Sequence, residues 1–340
     1  MIESVQFRNF KALRDTTLPL GRFTLIVGPN GSGKSTALQA FQAVTDPKLQ
    51  EFSRIVTGGL PSGAEATVEI WLRWGKPKAG IFTRAVWSAA GWSPIAHIHR
   101  KGTPNEEEIV ADAAKNLTAE LRRIRVYSFD HRAIAAPVQL EPNTELGQDG
   151  AGLAGILIQL HRDRKRFESL EQELGRLIPE FEHIAFGAPR TGHVSFSLKT
   201  RGVGNEIQAA DLSQGTLLAL ALLTLAYLPA PPPIVCLEEP DRGIHPRLLR
   251  DLQDVFYRLS YPENFGENRE PVQVVATTHS PYLLDLYRDH PEEVVIAQKT
   301  GHEVKFERLS DQPYIDEILR DSHLGEIWYT GILGGVPAQP

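Results

Sequence analysis

The sequence predicts an α/β fold of the P-loop nucleotide-binding class, carrying an antiparallel β annex and a helical lobe, and three observations predict it. First, RFTLIVG at 22–28 is a compact apolar strand that runs into a glycine-rich turn and then into KSTALQAFQAV, which has helical spacing. Second, two more short apolar strands, PIVCL and VQVVATT (272–278), are separated by helical segments. Third, Val68, Ile70, Leu72 and Trp74 alternate with Glu69 and Arg73 before GKPKAG turns the chain into IFTRAVW, the pattern of an antiparallel meander. Helices interleaved with compact strands argue a layered α/β core.

Taken in order, Ile2, Val5 and Phe7 open a short strand ahead of 22–28. After the meander, residues 105–122 read as a helix and RIRVYSF as a strand, followed by a long loop, QLEPNTELGQDGAG at 139–152. That loop is the best internal boundary, with one lobe at about 1–138 and 231–340 and a helical lobe at about 139–230. Residues 153–179 read as a charged amphipathic helical region whose mixed charges suit a solvated face. Two hairpins follow, turning at PRTG and TRGVGN, then an apolar helix at 217–230, the PIVCL strand, a helix at about 246–260 and the strand 272–278.

Composition narrows the function. The net charge is −6, without the basic excess of a dedicated DNA-binding protein, so any nucleic-acid contact is local. The single cysteine, Cys236, rules out an intramolecular disulfide framework and a multi-cysteine zinc site, favours a reducing cytoplasm and reads as a buried strand residue. LLALALLTLAYLPA (217–230) stops short of the roughly 20 residues of a bilayer span, and the N-terminus lacks a signal-peptide layout, so no membrane is expected. His97 and His99 lack a third metal ligand, and the five tryptophans read as packing residues.

GPNGSGKST, Gly28–Thr36, fits the phosphate-cradling pattern G-x-x-x-x-G-K-[ST] in the required strand–turn–helix setting. Glycines allow a tight turn whose N–H groups point at phosphate oxygens, Lys34 reaches the terminal phosphates, and Ser35 offers a hydroxyl to Mg²⁺. Asn30, Gly31, Ser32, Gly33 and Thr36 complete the expected nucleotide contacts. A magnesium nucleotide also needs a carboxylate at the end of a neighbouring strand, and hydrolysis needs a group to orient water. Glu238 and Glu239 fill both needs where Pro240 ends the PIVCL strand, since only an ending strand lets consecutive residues face one site.

Four further stretches line up in chain order: FRNFKAL before the P-loop, DLSQGTLLAL at 211–220, EEPDRGIHP from Glu238, and ATTHSPYLLD at 276–285. Together they resemble the AAA-labelled ATPase heads of the ABC superfamily related to RecF, SMC and OLD-type proteins, over residues 1 to about 290. The ending LGEIWYTGILGG also looks like members that stop after the head, and neither a coiled-coil insert nor a TOPRIM-type acidic pair is evident. The resemblance implies ATP sandwiched between two subunits, with Ser213 and the N–H of Gly215 meeting the γ-phosphate held by the other copy. It further implies that Glu238 supports Mg²⁺, Glu239 polarises the attacking water, His279 contacts the γ-phosphate, and Asp241 belongs to the D-loop. Glu238 stands where many relatives carry aspartate, so it would coordinate from further back, through water. Gln139 is the candidate Q-loop glutamine, and Phe7 and Phe10 the candidate adenine contacts.

Three functional classes stay open from sequence. One is a dimerising ATPase switch in DNA repair or anti-phage defence, working with double-stranded DNA or a separate nuclease or other effector. Another is the nucleotide-binding subunit of a transporter, which LSQGT and the unplaced Q-loop argue against. The last is an ATP-dependent scaffold with little turnover, against which Glu239 and His279 argue.

Overall fold

In a computed structural model, the described residues are 1–58, 66–76, 78–98, 115–142, 144–187, 192–313 and 323–330, with 315, 317 and 319. The strands, in chain order, are β1 Ile2–Phe10, β2 Leu13–Pro19, β3 Phe23–Val27, β4 Thr67–Trp74, β5 Ile81–Ser88, β6 Gly91–Ile98, β7 Arg125–Tyr127, β8 Val138–Gln139, β9 Phe181–Phe186, β10 His193–Val194, β11 Phe196–Thr200, β12 Glu206–Gln208, β13 Ile234–Leu237, β14 Gln273–Thr278, β15 Val294–Thr300 and β16 Glu303–Arg308. The longer helices are α1 Lys34–Thr45, α2 Leu153–His161, α3 Arg164–Leu177, α4 Gln214–Ala226 and α5 Leu249–Ser260. The chain divides into two compact units: Met1–Val126 with Pro232–Leu237 and Glu270–Pro340, and Tyr127–Pro231 with Glu238–Arg269.

The first unit is built on two sheets. One has the order β2-β1-β4-β5-β6 with antiparallel neighbours, which is the expected meander extended by the N-terminal pair. The other runs β16-β15-β3-β14-β13-β7. Within it β3 lies parallel to β14 and β15, and β14 parallel to β13, while β16 closes an edge antiparallel to β15. β3, β13 and β14 are buried at every position, which is why they read as continuous apolar runs rather than alternating ones. Phe7, Leu72 and Trp74 from one sheet, Ile26 and Val275 from the other, and Ala37, Leu38 and Phe41 of α1 share a core. Cys236 is fully buried there, and desolvation pushes its thiol well above the ordinary range, leaving it unreactive.

The second unit is helical with small sheets, β12-β11-β9 and β10-β8. α4 is buried from Thr216 to Ala226 without a polar face, as a core helix must be. α5 packs its apolar face, Leu249, Leu252, Val255, Phe256 and Leu259, in contact with α4. That packing places Glu238–Arg269 in this unit, whereas the sequence reading grouped it with the P-loop lobe, and the first break falls after Val126 rather than near 138. The helical region expected at 153–179 holds two helices, because Asp163 accepts a hydrogen bond from the Arg166 N–H at 3.2 Å and starts α3 anew. The hairpin over 201–205 joins β11 to β12 as expected. Residues 188–191, where the other hairpin was expected to turn, lie outside the described residues, as do 105–114 and His99. Among the described residues no helix is long and apolar enough to cross a membrane.

One buried side chain ties the two sheets of the first unit together. Gln273 of β14, 1% exposed, donates from Nε2 to the carbonyls of Ile2 (2.7 Å) and Gly21 (2.8 Å) and accepts the Ile2 N–H at 2.9 Å. Gln273→Leu keeps the volume but strips those backbone groups of their partners, so a loss of about 2–4 kcal/mol is expected. The check is the urea midpoint, which should fall with the slope of the transition unchanged.

Candidate functional site

The phosphate-binding turn begins where β3 ends. Thr278 is paired with Val27, so β14 and β3 finish level at one carboxyl edge, and β13 finishes beside them with Leu237 opposite Ala276. In open parallel sheets ligands bind at such an edge. Gly31 (φ 77°) and Gly33 (φ 95°) take left-handed conformations that bend the chain back. Gly28 is required by space: a Cβ there would lie 2.4 Å from Ser32 Oγ and 2.5 Å from the Ala297 carbonyl.

α1 starts at Lys34 with Gly33 as its N-cap, no side chain capping it and no acid in its first turn. Its leading N–H groups therefore offer themselves, with the helix dipole, to an anion. The Lys34 ammonium is buried and donates to the carbonyls of Gly28 (2.7 Å) and Pro29 (3.0 Å). Ser32 Oγ is buried and has no hydrogen-bond partner among the described residues. Phosphate oxygens would satisfy both the hydroxyl and the helix start, so the residues fit a nucleotide. Ser35 is exposed, Thr36 half-buried and Asn30 exposed at the tip of the turn.

His279 follows β14 directly and is exposed. Ser280 behind it caps the short Pro281–Asp285 helix, accepting the Leu283 N–H at 3.2 Å, while its own N–H donates to Thr278 Oγ1 at 2.9 Å. This fixes the chain direction on leaving the strand.

In the second unit the Glu238 N–H donates to the Tyr127 carbonyl at 2.8 Å. Glu239 has φ 44°, a left-handed conformation that a non-glycine residue adopts at a cost of about 1–3 kcal/mol. That turn breaks the strand alternation that would otherwise point the two acids to opposite faces. The next turns are closed by Arg242 N–H to the Glu239 carbonyl and Ile244 N–H to the Asp241 carbonyl, both at 3.0 Å. Ser213 caps α4, its Oγ accepting the Thr216 N–H at 3.1 Å. Gly215 lies against the same turn, since a Cβ on it would meet the Gly243 carbonyl at 2.6 Å. A cavity of about 450 Å³ opens here, lined by Ser213, Gly215, Gly243, His245, Arg247 and Glu180 among others.

The expectation of an adenine contact fails. Phe7 and Phe10 are 0% and 1% exposed in the core of the first unit, so neither can stack on an adenine. The spacing that made Phe7 an inward strand residue is the reason. Gln139 is exposed on β8, paired with His193. Trp74, Trp87 and Trp328 are buried, and among the described residues no cluster of His, Cys, Asp or Glu could hold a metal. Sequence reasoning missed Gln273 and Arg247; for the first, a glutamine opening an otherwise apolar buried strand was the available signal.

A glycine turn between a parallel strand and an uncapped helix, with a buried lysine at the helix start, defines a P-loop ATPase head. The chain belongs to the family described as "AAA domain, putative AbiEii toxin, Type IV TA system", whose model matches residues 108–285, and a model described as "AAA ATPase domain" matches residues 1–70. It is 24% identical over 371 residues to the OLD nuclease of Thermus scotoductus, spanning 96% of this chain and 68% of that protein. An SMC head solved with the C-terminal winged-helix domain of ScpA superposes with a TM-score of 0.65 at 17% identity, covering 90% of this chain and 97% of that one. The SMC head domain from Thermotoga maritima gives 0.50 at 15% identity, covering 90% and 98%. The protein is thus an ATP-binding ATPase of the ABC superfamily, of the RecF/SMC/OLD-like kind.

Two substitutions test the site. Gly28→Ala should abolish ATP binding in a fluorescent-nucleotide titration, because its methyl group collides with backbone that cannot yield. Glu239→Gly should raise stability toward urea by about 1 kcal/mol by relieving the left-handed strain, while turnover is lost.

Proposed function

We propose that two copies of the chain close around two Mg-ATP and reopen after hydrolysis. The observation that carries this reading is that each copy has two helix starts without an acid in the first turn, in different units: the uncapped P-loop start of α1, and the Ser213-capped start of α4 with its adjoining cavity. One nucleotide per copy occupies the first, and the second is offered to the nucleotide of the other copy.

Lys34 and the Gly31–Thr36 backbone hold the β- and γ-phosphates, and Asn30 contacts the nucleotide from the tip. Ser35 and Glu238 would hold Mg²⁺ through their hydroxyl and carboxylate oxygens. Glu239 orients and deprotonates the attacking water, His279 contacts the γ-phosphate and responds to its loss, and Asp241 lines the interface between copies. Mg²⁺ would neutralise charge on the phosphates, the chemistry that the hydroxyl and carboxylate suit.

The closing motion serves as a switch in DNA repair or anti-phage defence, through double-stranded DNA or a separate nuclease or other effector protein. Similarity to an OLD nuclease and to an SMC head solved with a partner domain supports this.

The test is the ATPase rate against protein concentration, with and without double-stranded DNA, for wild type and Glu239→Gln. The rate per subunit should climb with concentration, and Glu239→Gln should lose turnover and elute as an ATP-dependent dimer. A rate independent of concentration in a species that stays monomeric rules the two-copy site out.

A further inference from the structure

The cavity beside the start of α4 carries more positive character than a signature-type serine and glycine need. Arg247, an exposed residue, lines it together with His245, Ser213 and Gly215. α4 is 13 residues long with no acid in its first turn, so its dipole adds to the same hollow. Glu180 is the one carboxylate on the lining.

His245 and Arg247 are held next to one another. His245 is the N-cap of the short Pro246–Leu248 helix, and its Nδ1 accepts the Arg247 N–H at 3.2 Å. With Nδ1 turned to that N–H, Nε2 is the ring nitrogen left to face a ligand. Pro246 restricts the backbone between them. The Gly243 turn before His245 lies close against the start of α4, where a Cβ on Gly243 would come 2.9 Å from Gln214 Cδ. The hydroxyl of Ser213, the helix start and the backbone that carries Arg247 therefore lie together in the second unit.

We infer that Arg247 is an arginine finger supplied across the dimer, its guanidinium binding the terminal phosphates of the nucleotide held by the other copy, with His245 donating beside it. The inference rests on the two-copy site proposed above and extends it to residues outside the serine–glycine pair. A planar guanidinium matches a phosphate with paired N–H donors, and a triphosphate is the anion that the other copy's P-loop would bring to this hollow. As the γ-phosphoryl group separates, charge gathers on its oxygens and on the leaving ADP, and a fixed cation there favours the transition state over the ground state. The effect is thus expected in kcat more than in nucleotide affinity.

The deciding experiment mixes variants, each purified at full length. Arg247→Ala alone should lower kcat by about a hundredfold or more, with an unchanged melting temperature and unchanged nucleotide binding to the separated subunit. Lys34→Ala should also be inactive alone. In a mixed dimer, the intact P-loop of the Arg247→Ala copy faces the Arg247 of the Lys34→Ala copy, so mixing two inactive proteins should restore hydrolysis. A parallel mixture of Lys34→Ala with Ser213→Arg tests the two-copy site without involving Arg247. Recovery in both mixtures establishes the inference. Recovery in the Ser213 mixture alone overturns the role of Arg247 and leaves the two-copy site standing. Recovery in neither overturns the two-copy site and the inference with it, and full activity of Arg247→Ala by itself overturns the inference outright.

Discussion

The parallel register of β3 against β14 is the constraint on which the rest depends. With Val27 opposite Thr278, the phosphate-binding turn and His279 leave the sheet at one edge, and β13 ends beside them. A shift by one residue would send every side chain of a strand to the opposite face, and these strands are buried on both. The register is therefore pinned by the core rather than by the site. Gln273 adds a polar lock at the other end of β14, joining it to Ile2 and Gly21 before the strand begins its run toward the edge. Position at the carboxyl edge is thus inherited from packing many ångströms away, which is how loop chemistry acquires a rigid frame.

Local backbone cost is concentrated where chemistry is expected. Gly28 has no room for a side chain, Gly31 and Gly33 are left-handed, and Glu239 adopts a left-handed φ without being glycine. Among the described non-glycine residues only Asn9, Lys11 and Glu239 have positive φ; Asn9 lies near the end of β1 and Lys11 in the turn that joins it to β2. For Glu239 the conformation brings a second acid round at a strand end, an arrangement an unstrained strand would forbid. Ser32 Oγ, buried without a partner among the described residues, is a further local cost that a bound phosphate oxygen would offset.

Much of this was legible in the sequence, for stated reasons. The P-loop turn, α1, the meander and the buried strands β3, β13 and β14 each carry a strong local pattern, so the core of the first unit and the place of the P-loop were readable. Residue spacing could not show that α5 packs on α4 and takes Glu238–Arg269 into the second unit, because that depends on which apolar face meets which. The β15–β16 pair extends the parallel sheet at β3 through long-range pairing, for which a short apolar run gives no signal. Phe7 and Phe10 illustrate the converse error: aromatic identity drew them toward adenine, while the alternation of their own strand already placed Phe7 in the core.

The contact between α4 and the 239–245 turn has a mechanical consequence. Gly215 lies against the Gly243 carbonyl and Gly243 against the Gln214 side chain, so closely that neither glycine has room for a Cβ. The same turn carries Glu239 and Asp241 at its start and leads to His245 and Arg247. On the two-copy reading, the carboxylate that works on a copy's own nucleotide and the groups offered to the other nucleotide thus belong to one turn and the helix packed against it. Any movement of Glu239 on loss of γ-phosphate would displace Ser213 and Arg247 as well, so the two sites would be coupled through packing contacts inside a single unit rather than through the nucleotides themselves.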